Sequence, residues 1–244
     1  MHFSSHTRWK NLDDNSLLAG LAPHFQELRR RLLVALIALV VCVLASFVFA
    51  DRIINFLVEP IGGLQKLQSI EVTENISVFM KVALLSGFIL ALPIIAYEIV
   101  AFIVPGLEPR EKRWLFISLP FIVILFVAGV AFTYFVMLKA AIPFLVNFLG
   151  VQTVPRLSNY VGFVTNLMFW IGLSFESPLV VLLLAKLKLV NARMLLKGWR
   201  VAIIVSAVLA AIITPTTDPV NMGLLMVPLM GLYLISIFLA YLVR

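Results

Sequence analysis

Side chains that supply catalytic or metal-binding chemistry are scarce in this 244-residue chain, which has one cysteine and three histidines. The single cysteine, Cys42, excludes an intrachain disulfide. His2, His6 and His24 all precede the first long apolar run, so they cannot activate a serine or ligate a metal or haem within the apolar segments. The stretch 172–175 lacks the second glycine of a nucleophile turn, and no phosphate-binding glycine loop precedes a lysine. We therefore expect a protein that is not an enzyme and that has no metal or other cofactor.

Charged residues are also few. They make up 13% of the chain, against 62% hydrophobic residues, and the mean hydropathy is +1.09. This composition is typical of a polytopic membrane protein with no separate soluble domain. We interpret 1–244 as a single integral membrane domain in which 1–22 is a flexible or interfacial N-terminal segment. The first long apolar run begins only at Leu32, which is late for a cleaved signal peptide, so we expect this run to be retained.

The chain contains many long apolar runs. Six of them are separated by proline, glycine and charged residues, at 32–49, 77–104, 115–138, 160–185, 201–213 and 223–243. They predict an all-α fold with six transmembrane helices. The fifth run is short for a full crossing. Prolines lie within four of the runs, and we expect them to kink their helices unless neighbours bind the freed carbonyl groups; they are Pro93, Pro120, Pro178 and Pro228.

Basic residues are distributed unevenly between the two sides of this six-span arrangement. One side holds Arg8, Lys10, Arg29, Arg30, Arg31, Arg110, Lys112, Arg113, Lys186, Lys188, Arg193, Lys197, Arg200 and Arg244, and the other holds Arg52, Lys66, Lys139 and Arg156. Lys81 is assigned to neither side, because it lies near the end of a span, where a lysine side chain can extend to the interface. Because basic loops stay inside, this asymmetry predicts that both termini are cytoplasmic. The first and third outward loops contain apolar positions, so we expect them to form short amphipathic helices as a cap on the outer face.

Glu176 is the only charged residue between Arg156 and Lys186. At about 1.5 Å of rise per residue it lies roughly 15 Å from the membrane boundary marked by Lys186. An ionised group at that depth is costly, so Glu176 must face water, a cavity or a partner, or must keep its proton. A lone intramembrane acid is also found in secondary transporters and ion channels, which remain the alternative function. Such folds usually contain paired repeats, however, and the Glu176 segment has no second copy.

Two further acids lie within basic clusters at the predicted cytoplasmic surface. Glu27 precedes Arg29, Arg30 and Arg31, and Glu111 lies next to Lys112 and Arg113. Clusters of this kind are compatible with an interfacial anchor and with a solvated turn whose ion pairs contribute little. An anchor does not need an acid, however, so a binding role for Glu27 stays open.

Several motifs occur in a fixed order along nearly the whole chain, from about His24 to Leu242. They are His24-x-x-Glu27-Leu28-Arg29-x-Arg31-Leu32, Pro93-x-x-x-Tyr97, Phe102-x-x-Pro105-Gly106-Leu107, Glu111-Lys112-Arg113, Phe132-x-Tyr134-Phe135, Phe175-Glu176-x-Pro178, and Thr214-Pro215 with Asp218. In these motifs the chain resembles TatC, the multi-spanning core subunit of the twin-arginine (Sec-independent) protein translocase.

The resemblance implies a binding site on the cytoplasmic face. TatC-like proteins bind the paired arginines of a signal peptide there, and the corresponding residues here are Glu27 and Glu111, with Arg29 and Arg113 as supporting residues. A guanidinium can donate two parallel hydrogen bonds to a carboxylate, which an ammonium cannot do. The resemblance also implies that Glu176 contacts a polar residue of a single-span partner subunit. A protonated acid bonded inside one bundle is the alternative.

The function implied by the resemblance is that of a protein translocase subunit. It would bind twin-arginine signal peptides of folded cargo and recruit single-span TatA/TatB-type subunits into a multimeric complex, in the lipid bilayer of a bacterial or archaeal cytoplasmic (inner) membrane, without nucleic acid. Three residues depart from the family pattern. Lys139 replaces a usual proline, Leu234 replaces an acid found in many relatives, and Glu98 stands where glutamine is common. Because of Leu234, we place no polar partner contact on the last span.

Overall fold

The computed structural model describes residues 13–146, 154–214 and 219–243. The residues named above that lie outside this range are His2, His6, Arg8, Lys10, Pro215, Asp218 and Arg244. The described residues form ten α-helices: α1 (Asp13–Ser46), α2 (Ala50–Val58), α3 (Glu74–Ile103), α4 (Pro109–Phe132), α5 (Leu138–Val146), α6 (Leu157–Ser174), α7 (Ser177–Lys186), α8 (Ala192–Lys197), α9 (Trp199–Ile213) and α10 (Pro219–Leu242). The predicted all-helical membrane fold is confirmed.

Four helical stretches of the described chain are long and apolar enough to cross a membrane: Glu74–Gly106, Glu111–Val146, Leu157–Lys186 and Met222–Leu242. A further candidate is the pair His24–Ser46 and Ala50–Ile61, which bends by 76° between its two parts. The fifth apolar run forms α9, a shorter helix of 15 residues. The count of six spans and the location of both termini therefore stay predictions, while the multi-pass class is established.

Proline does not by itself break these helices. Pro93, Pro120 and Pro228 lie inside α3, α4 and α10, and each helix continues through its proline. Only Pro178 lies close to a break, the turn at Phe175 and Glu176 that separates α6 from α7. A proline removes one backbone hydrogen bond, and the neighbouring turns of a membrane helix can adjust to that loss. Helices α3, α4 and α10 therefore lose one backbone hydrogen bond at each proline but stay helical before and after it.

Helices α1 and α3 pack side by side in opposite directions. Gly87 of α3 lies directly against the backbone of Val43 in α1, and no side chain would fit between them. Close approach at glycine is common in membrane helix pairs, because small residues let two backbones come together. About three turns away, Arg31 of α1 meets Glu98 of α3. The tight contact at Gly87 thus fixes the register that brings these two charged residues together.

Helix α6 forms the centre of the bundle. Its residues Val161, Val164, Leu167 and Ile171 are almost fully buried and pack in one cluster with residues of α3, α9 and α10. At Gly172, α6 passes so close to α4 that a Cβ atom would lie 2.9 Å from the Phe126 ring. The residues at the end of α6, just before Glu176, are therefore held in place by tight packing.

The end of the bundle next to α2 is held by a buried acid. The carboxylate of Glu74, only 2% exposed, accepts hydrogen bonds from the backbone amides of Ile70 (2.9 Å) and Ser158 (2.7 Å) and from Nε of Arg156 (3.1 Å). Arg156 also pairs with Glu71 at 2.8 Å, and these two acids raise the pKa of its guanidinium. Glu74 therefore links the segment before α3 to the start of α6.

A short helix, α2, follows α1 as expected for the first loop, whereas α5 continues the candidate span Glu111–Val146 and is not a separate loop helix. The hydroxyls of Tyr134 and Tyr160 donate to the α2 carbonyl groups of Phe56 and Leu57, both at 2.9 Å. The Phe56 and Tyr134 rings also stack with their centroids 4.1 Å apart. These contacts fix α2 across the end of the bundle.

Candidate functional site

Glu27 and Glu98 share one arginine at the end of the bundle opposite α2. Nε and Nη2 of Arg31 donate to Oε1 of Glu27 at 3.1 and 2.8 Å, and Nη1 donates to Oε2 of Glu98 at 3.1 Å. Glu27 precedes Arg31 by four residues, so the two side chains lie one above the other on α1. Glu98 reaches the same guanidinium from α3. The three side chains are partly exposed, by 33%, 26% and 14% for Glu27, Arg31 and Glu98.

This cluster has one more acid than base, so it keeps a net negative charge. Its oxygen atoms are arranged around a guanidinium, and the Glu27 carboxylate uses only Oε1 in its bonds to Arg31. The second oxygen of this carboxylate makes no bond to Arg31. Arg29 and Arg30 extend outward as exposed side chains.

Glu111 lies in the first turn of α4 and takes part in capping that helix. Its Oε2 accepts a hydrogen bond from the backbone amide of Glu108 at 3.0 Å, and the Glu108 side chain accepts in return from the Glu111 backbone. This reciprocal pair is a capping box, and Pro109 occupies the first helical position, where a missing N–H is harmless. The sequence pattern was compatible with a solvated turn or a binding residue at Glu111, and neither interpretation includes the capping role that the structure shows.

A cavity of about 300 Å³ opens beside the capping box. Glu108, Glu111, Trp114 and Lys186 line it, together with Leu115, Leu183, Leu187 and Lys188. Nζ of Lys186 lies 4.1 Å from the centre of the Trp114 ring, within the range of a cation–π interaction. The cavity thus places two carboxylates next to the end of α7, a neighbour that sequence spacing did not indicate.

The predicted site residues fall into two clusters. Within the described residues, no hydrogen bond or ion pair joins Glu27 to Glu111. Both clusters nevertheless lie at the same end of the bundle, because Glu27 is bridged to the last turns of α3 and α4 begins shortly after α3 ends. Arg29 and Arg113 are exposed, so they can bind a ligand but do not organise the site.

Glu176 lies at the break between α6 and α7, deep within the candidate span Leu157–Lys186. Its Oε1 is buried, and no donor in the described part of the chain reaches it. Its position is fixed by the Gly172 contact one turn earlier and by Phe175, whose ring lies 5.5 Å from that of Phe132. A buried acceptor without a donor is costly, and such a group commonly has a role beyond packing.

The structure also shows charged residues that the sequence analysis had not connected. In the sequence Glu98 is only a departure from a family pattern and Arg156 only one of the basic residues, and nothing there connects Glu98 with Arg31 or Arg156 with Glu74. Hydrophobic periodicity could not show that Glu98 faces α1, because apolar residues occupy all sides of α3. Within the described residues, no group of three or more His, Cys, Asp or Glu side chains is arranged to hold a metal ion.

Comparisons with known proteins identify the family. Residues 23–228 match the family model described as "Sec-independent protein translocase protein (TatC)". The TatC protein of Carboxydothermus hydrogenoformans is 37% identical over 92% of this chain and 93% of its own length. The chloroplastic TATC protein of Arabidopsis thaliana is 39% identical over 86% of this chain and 63% of its own length.

A solved structure agrees with these matches. The crystal structure of the twin-arginine translocase receptor TatC superposes with a TM-score of 0.80 at 33% identity, covering 90% of this chain and 99% of that one. The range of the family model, residues 23–228, includes every acid described above. The resemblance inferred from the motifs is thereby confirmed, and the chain belongs to the TatC family, the non-enzymatic multi-pass subunits of the Sec-independent protein translocase.

Proposed function

We propose that this translocase subunit binds the paired arginines of signal peptides at the end of the bundle that holds Glu27 and Glu111. That end faces the cytoplasm, the termini lie on the same side, and the membrane is the cytoplasmic membrane of a bacterium or archaeon. The excess of basic residues at this end supports the orientation. The transporter or channel alternative has lost its support, because the family match accounts for the whole span that contains Glu176.

The observation that carries the proposal is the geometry around Arg31. Two carboxylates from different helices already bind one guanidinium, so this part of the surface has the shape and charge that an arginine side chain requires. A signal-peptide arginine can use the free oxygen of Glu27 or replace Arg31. The residual negative charge of the cluster favours a cationic ligand and remains partly exposed to water.

The second arginine is bound by the carboxylates of the capping box. Glu108 and Glu111 line the same cavity beside Trp114, whose indole offers a flat surface to a guanidinium. Lys186 already makes a cation–π contact with Trp114, so an incoming arginine competes with Lys186 for the indole ring. Arg29 and Arg113, exposed at the edges of the two clusters, limit the approach of other cationic segments.

Glu176 contributes to a different step. Its unpartnered Oε1 is an acceptor for a polar side chain from a single-span TatA/TatB-type subunit that enters the bilayer beside α6 and α7. A translocase subunit acts within a membrane protein complex, and this acceptor supplies a contact for assembling it. The proposal thus assigns peptide binding to the surface acids and partner recruitment to the buried acid.

The test measures binding of a fluorescent signal peptide to the purified full chain in detergent micelles. We expect Glu27→Gln and Glu111→Gln each to weaken an Arg-Arg peptide by roughly ten-fold, the loss of one charge-assisted contact. A Lys-Lys peptide should bind weakly to every variant. Asp51→Asn, an exposed acid at the opposite end in α2, is the matched control and should bind as the unmodified chain does. Full affinity in both glutamine variants would contradict the assigned site.

A further inference from the structure

A groove of about 980 Å³ lies between α3, α6 and α9. Its volume is at the upper end of the range of ligand pockets. The walls are mostly apolar and include Leu84, Leu85, Phe88, Phe169 and Ile212, while the polar side chains of Thr165 and Asn166 donate to backbone carbonyl groups. Leu84 and Ile212 are 50% and 59% exposed, so the groove opens on the outer surface of the bundle, where a membrane protein meets lipid. Hydrocarbon is the natural filling for such walls.

The end of the groove nearest α2 is polar. Lys81 lies there, about 10 Å along α3 from the first residue of that helix. Its Nζ donates to the carbonyl oxygen of Ser158 at 3.4 Å, and the exposed side chain of Asn159 lies beside it. Among the described residues, no aspartate or glutamate forms an ion pair with Lys81. An ammonium at this depth without a counter-ion is unfavourable, so the position favours an anion.

Gly162 provides the space for this ammonium. A Cβ atom at residue 162 would lie 3.1 Å from Nζ of Lys81. The glycine therefore lets the long side chain lie along α6 and extend towards the membrane boundary, as lysine does at the ends of membrane helices. The groove thus has a charged group near the membrane boundary and apolar residues deeper in the membrane. A phospholipid has the matching order, with a charged headgroup at the boundary and acyl chains further in.

We propose that the groove binds one anionic phospholipid from the leaflet on the α2 side. Its phosphate contacts the Lys81 ammonium and the Asn159 amide, and an acyl chain extends along Leu84, Phe88 and Phe169. A lipid matches both the single cation at one end of the groove and the apolar residues further along it. This site is separate from the acids of the proposed peptide site and does not depend on them.

Native mass spectrometry of the full chain, released from micelles containing dioleoyl phosphatidylglycerol or dioleoyl phosphatidylcholine, tests the proposal. We expect one phosphatidylglycerol to be retained in preference to phosphatidylcholine. Lys81→Met should lower this retention roughly ten-fold, and Lys81→Arg should preserve it. Lys139→Met is the control, because Lys139 is exposed on α5, outside the groove. Equal retention of the two lipids, or unchanged retention in a folded Lys81→Met, would overturn the proposal.

Two further measurements keep the test decisive if Lys81→Met does not fold. Gly162→Val fills the space beside the ammonium, so this variant should also lose phosphatidylglycerol. A photo-reactive residue at position 212 in vesicles should form an adduct with lipid. An adduct with a protein instead would show that a partner helix occupies the groove, and the lipid assignment would be wrong. Lipid retained by a folded Gly162→Val would contradict it equally.

Discussion

Replacing Gly87 with alanine should separate the two helices that hold the Arg31 cluster together. A Cβ atom at residue 87 would lie 2.5 Å from both Cα and Cγ2 of Val43 and 2.8 Å from its backbone nitrogen. Ordinary van der Waals contact begins near 3.4 Å. Because two of the three atoms belong to the backbone, a rotamer change cannot remove the clash. Helices α1 and α3 must therefore move apart by roughly 0.9 Å.

The size of the effect follows from comparison with a second glycine. Gly231, inside α10, has no atom within 4 Å of its added Cβ. Both substitutions gain the higher helix propensity of alanine, about 1 kcal/mol. The difference between the two variants therefore isolates the clash, which we expect to cost about 1–3 kcal/mol. At about 2–4 °C per kcal/mol for a chain of this size, Gly87→Ala should melt several degrees below Gly231→Ala.

The assay is thermal unfolding in one detergent, followed by tryptophan fluorescence. A second substitution, Val43→Ala, removes Cγ2 but leaves Cα and the backbone nitrogen in place, so it should not restore the stability of Gly87→Ala. The shift of α1 should also weaken binding of an Arg-Arg peptide, because Arg31 and Glu98 meet across the same helix pair. Equal melting temperatures for Gly87→Ala and Gly231→Ala would refute the close contact, and rescue by Val43→Ala would refute its backbone origin.

Three other substitutions test the separate roles of the acids. Glu98→Gln removes the excess negative charge around Arg31, so the affinity for an Arg-Arg peptide should fall about three- to ten-fold. Fluorescence anisotropy measures this affinity, and an unchanged value would show that Glu98 has no role in peptide binding. Glu176→Ala should keep the affinity for the peptide but reduce co-purification of a single-span partner about ten-fold. Ser174→Ala, on the same turn, is the control. Normal co-purification with Glu176→Ala would contradict the partner contact. Glu74→Gln places an amide donor among backbone donors, so it should lower the melting temperature far more than Glu71→Gln does; similar melting of both would show that the buried carboxylate is not needed.

Hydropathy placed four of the six predicted spans in helical stretches that are long and apolar enough to cross a membrane, because long apolar runs have few other stable structures. It could not show which face of α3 meets α1, since apolar residues surround α3 on all sides. The partnership of Arg31 with Glu98 depends on that face and on the register fixed at Gly87. The sequence also could not show which prolines interrupt a helix. Pro93 and Pro178 look alike in sequence, yet α3 continues through the first, whereas a turn immediately precedes the second.

The local sequence around Glu111 predicted an acid at the membrane surface but not the competition for its carboxylate. Its Oε2 already accepts from the Glu108 backbone, so a ligand that takes this oxygen must release the first turn of α4. Loss of a capping interaction costs about 1 kcal/mol. In the proposed function, peptide binding at Glu111 would be coupled to the start of α4, whereas binding at Glu27 would leave the α1 backbone unchanged.

The hydrogen-bond partners of the acids separate structural from functional roles better than their positions in the sequence do. Glu74 is buried and satisfied from the backbone and Arg156, so it has no capacity left for a ligand. Glu27 and Glu98 are partly exposed and share one guanidinium, which leaves both charge and oxygen atoms for a second one. Glu176 has a buried oxygen that no described donor reaches. A buried acceptor of this kind is stabilised only when a donor arrives, so a protein partner that brings one binds more tightly than a purely apolar helix.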